Sequence, residues 1–125
     1  MSHMSTIELE VKDIDILSRA CSRMGLHLVK GQKTFKWYGR QDGRCDHAIS
    51  IPGAQYEIGV TRKDNQYELT CDYYDRGLLQ AIGENGRKLK QSYAVEKTRQ
   101  AARMKGYSVT ERVGDARVQL RISVP

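Results

Sequence analysis

From Ser5 to Val11 the chain alternates without a break, with Ile7, Leu9 and Val11 on one side and Thr6, Glu8 and Glu10 on the other. Period two over that length predicts a half-buried β-strand. Asp13 follows as a helix N-cap, since its carboxylate accepts from the free N–H groups of a first turn. Ile14, Leu17, Cys21 and Met24 then recur at spacings of three and four, an amphipathic helical stripe, and Gly25 supplies the left-handed stop.

The middle of the chain reads as strand and turn. Phe35 and Trp37 alternate with lysines, and Gly39 to Gly43 reads as a loop. Ile49 and Ile51 mark a short strand ended by Pro52-Gly53. Tyr56, Ile58 and Val60 predict the next strand, and Tyr67, Leu69, Cys71 and Tyr73 the one after it. Lys63-Asp64-Asn65-Gln66 between them has turn chemistry, so these two strands form a hairpin. Between Asp75 and Gly86, Leu78, Leu79 and Ile82 suit a short helix.

A second long helix is predicted from Lys88 to Lys105, stopped by Gly106, with Leu89, Tyr93, Ala94, Thr98, Ala101, Ala102 and Met104 as its apolar arc. The small residues in that arc suggest close packing on a sheet. Tyr107 to Val113 and Arg117 to Val124 predict a last hairpin with Val118, Leu120, Ile122 and Val124 facing inward. The order β-α-β-β-β-β-α-β-β fits an α+β class, a mostly antiparallel sheet of about six to seven strands with two helices on one face. At 125 residues this is a single domain, 1–125, with no repeat, linker or low-complexity stretch.

Charge changes the picture because it is local. Between Arg87 and Lys105 stand seven basic residues and one acid, Glu96, so this segment carries the whole net charge of +6 and the rest of the chain cancels. Lys88, Lys90, Lys97, Arg99, Arg103 and Lys105 are therefore the candidate binding residues, for phosphates of RNA or DNA or for an acidic protein. On a helical wheel Arg99 and Arg103 fall one turn apart on the exposed face, while Lys90 and Lys97 flank the apolar arc about 160° away. That is not one continuous stripe, and a solvated helix whose lysine stems cover apolar surface reads the same way. Trp37, among Lys33, Lys36 and Arg40, is a candidate base-stacking residue, although alternating strand aromatics are ordinarily core.

Candidate chemistry is thin. Cys21 and Cys71 fall on apolar faces and read as buried free thiols of a reducing compartment. Cys45 and His47 share a side of a strand but lack the second close pair a structural zinc site uses, so no metal is expected. His3 and His27 are the remaining histidines. Asp72 and Asp75 at a strand end suit either acid–base work or turn formation. Asp46 and His47 are adjacent, so in a strand they point to opposite faces and make no dyad. No phosphate loop, dinucleotide fingerprint, nucleophile elbow or paired-histidine motif appears, so neither enzyme nor cofactor is expected. No apolar run approaches a membrane span of about 20 residues or a signal-peptide core, so no membrane partner is expected. The expected compartment is the cytoplasm or the plastid stroma.

Several stretches carry a resemblance. The opening Met1-Ser2-His3-Met4-Ser5-Thr6-Ile7, the pair Tyr56-Glu57-Ile58-Gly59-Val60 and Tyr67-Glu68-Leu69, and Leu89 to Val109 with Gln91-Ser92-Tyr93-Ala94 and Gly106-Tyr107-Ser108-Val109 resemble the family called hypothetical chloroplast reading frame thirty-five. Met4 stands where that family usually has Phe, and Asp72-Tyr73-Tyr74 where it commonly has an Asp followed by tryptophans. The resemblance implies a cyanobacterial, plastid, bacterial or phage setting and brings no catalytic residues. It also implies gene company with another small protein and an AAA-type ATPase, hence a role inside an assembly. The leading expectation is a non-enzymatic protein-interaction module, adaptor or accessory. The alternative is an RNA- or DNA-binding protein using the segment 87–105, and the third a small enzyme or ligand-binding protein around His47, Asp72 or Asp75. Oligomeric state is left open by the sequence.

Overall fold

The computed structural model describes residues 4–38, 40–114 and 117–125. The first strand, β1 (Met4–Val11), buries Ile7 and Val11 as its alternation requires. The helix α1 (Ile14–Arg23) begins at Asp13, whose Oδ1 accepts from Asp15 N at 2.8 Å and Ile16 N at 3.3 Å. It ends where Leu26 N reaches back to Cys21 O at 2.9 Å across Gly25, whose φ of 74° is open to glycine at little cost.

The remaining strands are β2 (His27–Lys30), β3 (Thr34–Trp37), β4 (Arg40–Arg44), β5 (His47–Ser50), β6 (Ile58–Lys63), β7 (Gln66–Asp72), β8 (Ser108–Val113) and β9 (Val118–Ser123). The short helix α2 (Arg76–Ile82) and the long α3 (Arg87–Met104) flank one 3-10 turn, Glu84–Gly86. The class is α+β, as expected. The strands are divided between a five-stranded antiparallel sheet in the order β1-β7-β6-β5-β2 and two separate hairpins, β3–β4 and β8–β9.

Register explains the layers. Ile7, Leu69 and Val60 are cross-strand neighbours, and with Leu17 and Cys21 of α1 and Leu89 and Tyr93 of α3 they form the main core. The two long helices thus cover one face of the sheet. The other face carries Ala48, Gly59 and Thr70 in a row, and there the β3–β4 hairpin lays Phe35 against Ala48 and Cys45. Gly59 has a packing reason, because a Cβ there would lie 2.5 Å from Phe35 Cε1. The β6–β7 hairpin turns through Asp64 and Asn65, with Asp64 at φ 58° and Lys63 opposite Gln66.

Several elements differ from the sequence expectation. The span read as a loop contains β4, whose backbone pairs with β3 although Arg40–Arg44 has no apolar alternation; Gly39 lies outside the described residues. β2 has only Leu28 and Val29 as apolar residues, too few to show a period, and forms a sheet edge on β5. Phe35 is core, as alternating strand aromatics ordinarily are, held between its own hairpin and the sheet.

The α3 arc is also rotated. Leu89, Ser92, Tyr93, Val95, Glu96 and Ala102 are buried, whereas Ala94 and Ala101 are exposed and Met104 is 79% exposed. Closest packing is on α1, not on the sheet: Ser92 Oγ donates to Ala20 O at 2.7 Å. Two polar residues, Ser92 and Glu96, occupy the packed face, and so the apolar count missed it. Among the described residues the last hairpin forms a two-stranded sheet of its own, and it rests on α3. Val118 and Leu120 are half-buried, but Ile122 and Val124 are exposed, which corrects their expected inward placement.

Candidate functional site

The basic segment is not one surface. Lys97, on the side of α3 turned away from its packed face, and Lys105, at its C-terminal cap, are exposed and have no ion partner among the described residues, while Lys90 is half-buried beside Thr6, Glu8 and Asn85. Lys88 turns toward α2, and its Nζ donates to Gln80 O at 3.0 Å. Arg99 corrects the wheel reading. It points toward the last hairpin, where its Nη1 donates to Glu111 Oε1 at 2.9 Å and its side chain is one-third exposed. Arg103 stays exposed and donates to Gln100 Oε1 at 3.3 Å.

Two arginines of α1 meet this group, and neither stands out in the local charge count. Arg23 forks onto Glu111, Nη1 to Oε1 at 2.7 Å and Nη2 to Oε2 at 3.1 Å, and stands 3.9 Å from buried Glu96. Arg19 Nη1 donates to Gln100 Oε1 at 2.9 Å. The result is a seam of four guanidiniums against two carboxylates, running between α1, α3 and β8. The hydrogen bond from Arg23, outweighing some burial, holds the Glu111 carboxyl below its usual range. The sequence signal was present: arginines at i and i+4 on each helix, and an acid at Glu111 in the apolar register of Val109 and Val113.

Beside the seam, α1, α2, α3 and β9 enclose a groove of about 310 Å³, with Met24, Ala81, Val95 and Val118 as apolar lining and Arg23 and Lys88 at its rim. The hairpin next to it keeps an open apolar surface: Val113 is 72% exposed, Ile122 45% and Val124 66%. Apolar surface rimmed by cations is a recognition chemistry.

The other sequence candidates are dispersed. Trp37 is half-buried against Phe35, with the Arg40 guanidinium 5.4 Å from its ring centre. His47 and Cys45 do not share a face. Cys45 packs with Phe35 and Ala48 and donates to Gln32 O, while His47 opposes Val60 on the helix side and accepts through Nδ1 from Gly31 N. Burial holds His47 below its ordinary pKa. Asp75 Oδ1 caps α2 through Gly77 N, and its Oδ2 ties down Gln55 N and Tyr56 N at 2.6 and 2.8 Å. Asp72 is fully buried. Its Oδ1 accepts from Tyr74 N and its Oδ2 has no hydrogen-bond partner among the described residues. Both aspartates therefore form turns, as acids at a strand end commonly do. His3 lies outside the described residues. Among the described residues no three His, Cys, Asp or Glu gather as metal ligands, and no helix is long and apolar enough to cross a membrane.

Fold and surface together define an α+β domain with a docked C-terminal hairpin and an arginine seam beside it. Within that class the chain belongs to the DUF1257 family of proteins of unknown function, which it matches over residues 20–122, from within α1 into β9. No curated protein and no solved structure matches the chain.

Proposed function

We propose that this chain is a non-enzymatic docking module that binds a partner protein through the β8–β9 hairpin and the adjoining groove. The observation that carries the reading is the hairpin's incomplete burial. Val109, Val113, Val118, Leu120 and Ile122 share one face by register, yet α3 covers only part of it. A two-stranded ribbon is marginal alone, and exposed apolar positions grouped on it mark a surface that another chain completes. The resemblance to chloroplast reading frame thirty-five, whose members are often encoded beside an AAA-type ATPase, supports a place in such an assembly. It also supports a setting in cytoplasm or stroma.

The test is affinity purification from the native host with wild type and a Val113→Asp/Ile122→Asp variant, each with and without nuclease treatment. A stoichiometric protein retained by wild type and lost by the variant is the expected result. A partner held equally by both, or recovery of nucleic acid alone, overturns the hairpin reading. Both positions are exposed, so the variant keeps its circular dichroism spectrum.

The second reading, RNA or DNA binding, draws on the unpaired Lys97 and Lys105 and on Arg112 and Arg121, which lie on the opposite side of the hairpin from the apolar residues. Its expected signature is salt-sensitive oligonucleotide binding lost in Lys97→Glu/Lys105→Glu. No binding at low salt removes it.

A further inference from the structure

We propose that Arg19 and Arg103 form a clamp for a carboxylate on an acidic segment of the partner protein, an inference that rests on the docking reading and names the partner's chemistry. The two residues come from different helices, 84 positions apart in the chain, and meet on one atom. Arg19 Nη1 stands 2.9 Å and Arg103 Nη1 3.3 Å from Gln100 Oε1. That oxygen is neutral. Two positive groups are held together with no carboxylate between them, while a few residues away Arg23 and Arg99 share Glu111.

Where arginines of α1 and α3 meet beside β8, a carboxylate of the chain itself bridges them. Where they meet beyond it, a side-chain amide takes the same place and brings no charge of its own, with Asp15 attracting Arg19 only at longer range. Asp15 stands one turn before Arg19 but is held by Lys30 Nζ at 2.5 Å. A guanidinium carries five N–H donors, and each of these two spends a single one on Gln100. Both side chains are exposed. The unused donors of two forks, brought together in advance, suit an incoming carboxylate that accepts from both.

An acidic peptide fits this better than a nucleic acid. Phosphate backbones draw affinity from many uncompensated cations. The seam offers two, and Glu96 and Glu111 beside them repel a continuous row of phosphates. A peptide carries its charge on flexible side chains and not in its backbone, so one carboxylate can enter the clamp while its neighbours turn away from Glu96 and Glu111 into solvent.

The experiment is a fluorescence anisotropy titration with a labelled octaglutamate peptide at about 0.15 M salt, where screening limits charges to within about 8 Å, using the intact chain. Wild type binds. Arg19→Lys/Arg103→Lys keeps the net charge but removes both forks, and weakens binding by about tenfold or more. Lys97→Gln/Lys105→Gln removes two charges elsewhere and changes affinity by no more than about twofold, as exposed charges acting at a distance do. Equal binding by the lysine variant, an equal loss in the Lys97/Lys105 variant, or no binding by wild type overturns the clamp. Tighter binding of an eight-nucleotide oligothymidylate that depends on the same two arginines overturns it in favour of nucleic acid. The probe has no apolar side chain, so a neutral hairpin variant, Val113→Ser/Ile122→Ser, which removes apolar surface and adds no charge, binds it as wild type does. The clamp can therefore fail while the hairpin reading stands, and the reverse.

Discussion

Replacing Gly59 by alanine adds one methyl group to the middle of the sheet, and its effect follows from the distances around it. The new Cβ lies 2.5, 2.6 and 2.9 Å from Cε1, Cδ1 and Cζ of Phe35, well inside van der Waals contact. Gly59 is paired with Ala48 on one side and Thr70 on the other, so its strand has little freedom to retreat. The ring has as little, since a Cβ at Gly43 would meet the same atoms at 2.6–2.8 Å and Phe35 is 3% exposed. Overpacking of this kind costs about 1–3 kcal/mol. Alanine returns roughly 0.5–1 kcal/mol over glycine inside a strand. With three ring atoms in conflict, the net expectation is a loss of about 2 kcal/mol, or roughly 6–10 °C in Tm for a domain of this size. Urea unfolding followed by tryptophan fluorescence measures it directly, because Trp37 packs in the same cluster. The decisive comparison is the double variant. In a Phe35→Leu background the smaller side chain yields, so Gly59→Ala should cost at least about 1 kcal/mol less than in wild type. A neutral Gly59→Ala, or an equal cost in both backgrounds, refutes the placement of the β3–β4 hairpin on the sheet.

Three further outcomes test the helix pair, the hairpin anchor and the core. Ser92→Val loses the bond to Ala20 O and pushes a methyl group into α1, for about 2 kcal/mol, while Ser92→Ala loses only about 1 kcal/mol; the opposite order in denaturant midpoints refutes α1–α3 contact at this residue. Glu111→Gln removes the charge that holds Arg23 and Arg99 and costs roughly 1–2 kcal/mol locally, so amide exchange in β8–β9 speeds up by about five- to thirtyfold. Because the folded Glu111 carboxyl lies below its ordinary value of 4.5, the open hairpin takes up the proton first. Protection is therefore full above that value and falls as pH drops below it, and a flat profile in wild type contradicts the anchor. Cys21 and Cys71 are fully buried, and desolvation pushes their thiols up to about 12. At pH 8 neither should react with a thiol reagent until the chain unfolds, and rapid labelling of either in the native protein overturns the packing.

Much of this protein was settled by its sequence because the deciding interactions are local. The strand Met4–Val11, the Asp13 cap and the Gly25 stop are written within twenty-odd neighbouring residues, and the Asp64–Asn65 turn fixes its hairpin by its own backbone preferences. Two features were decided only in three dimensions. The packed face of α3 is set by what lies against it, α1 on one side and a hairpin on the other, so polar Ser92 and Glu96 are buried and Ala94 faces out. The arginine seam likewise needs residues from α1 and α3 in one place, and a charge count along the chain sees only the α3 half. Helical and strand periods report which residues share a face of one element. They carry no information about which element that face will meet, and here that meeting determines which arginines find a carboxylate and which find only an amide.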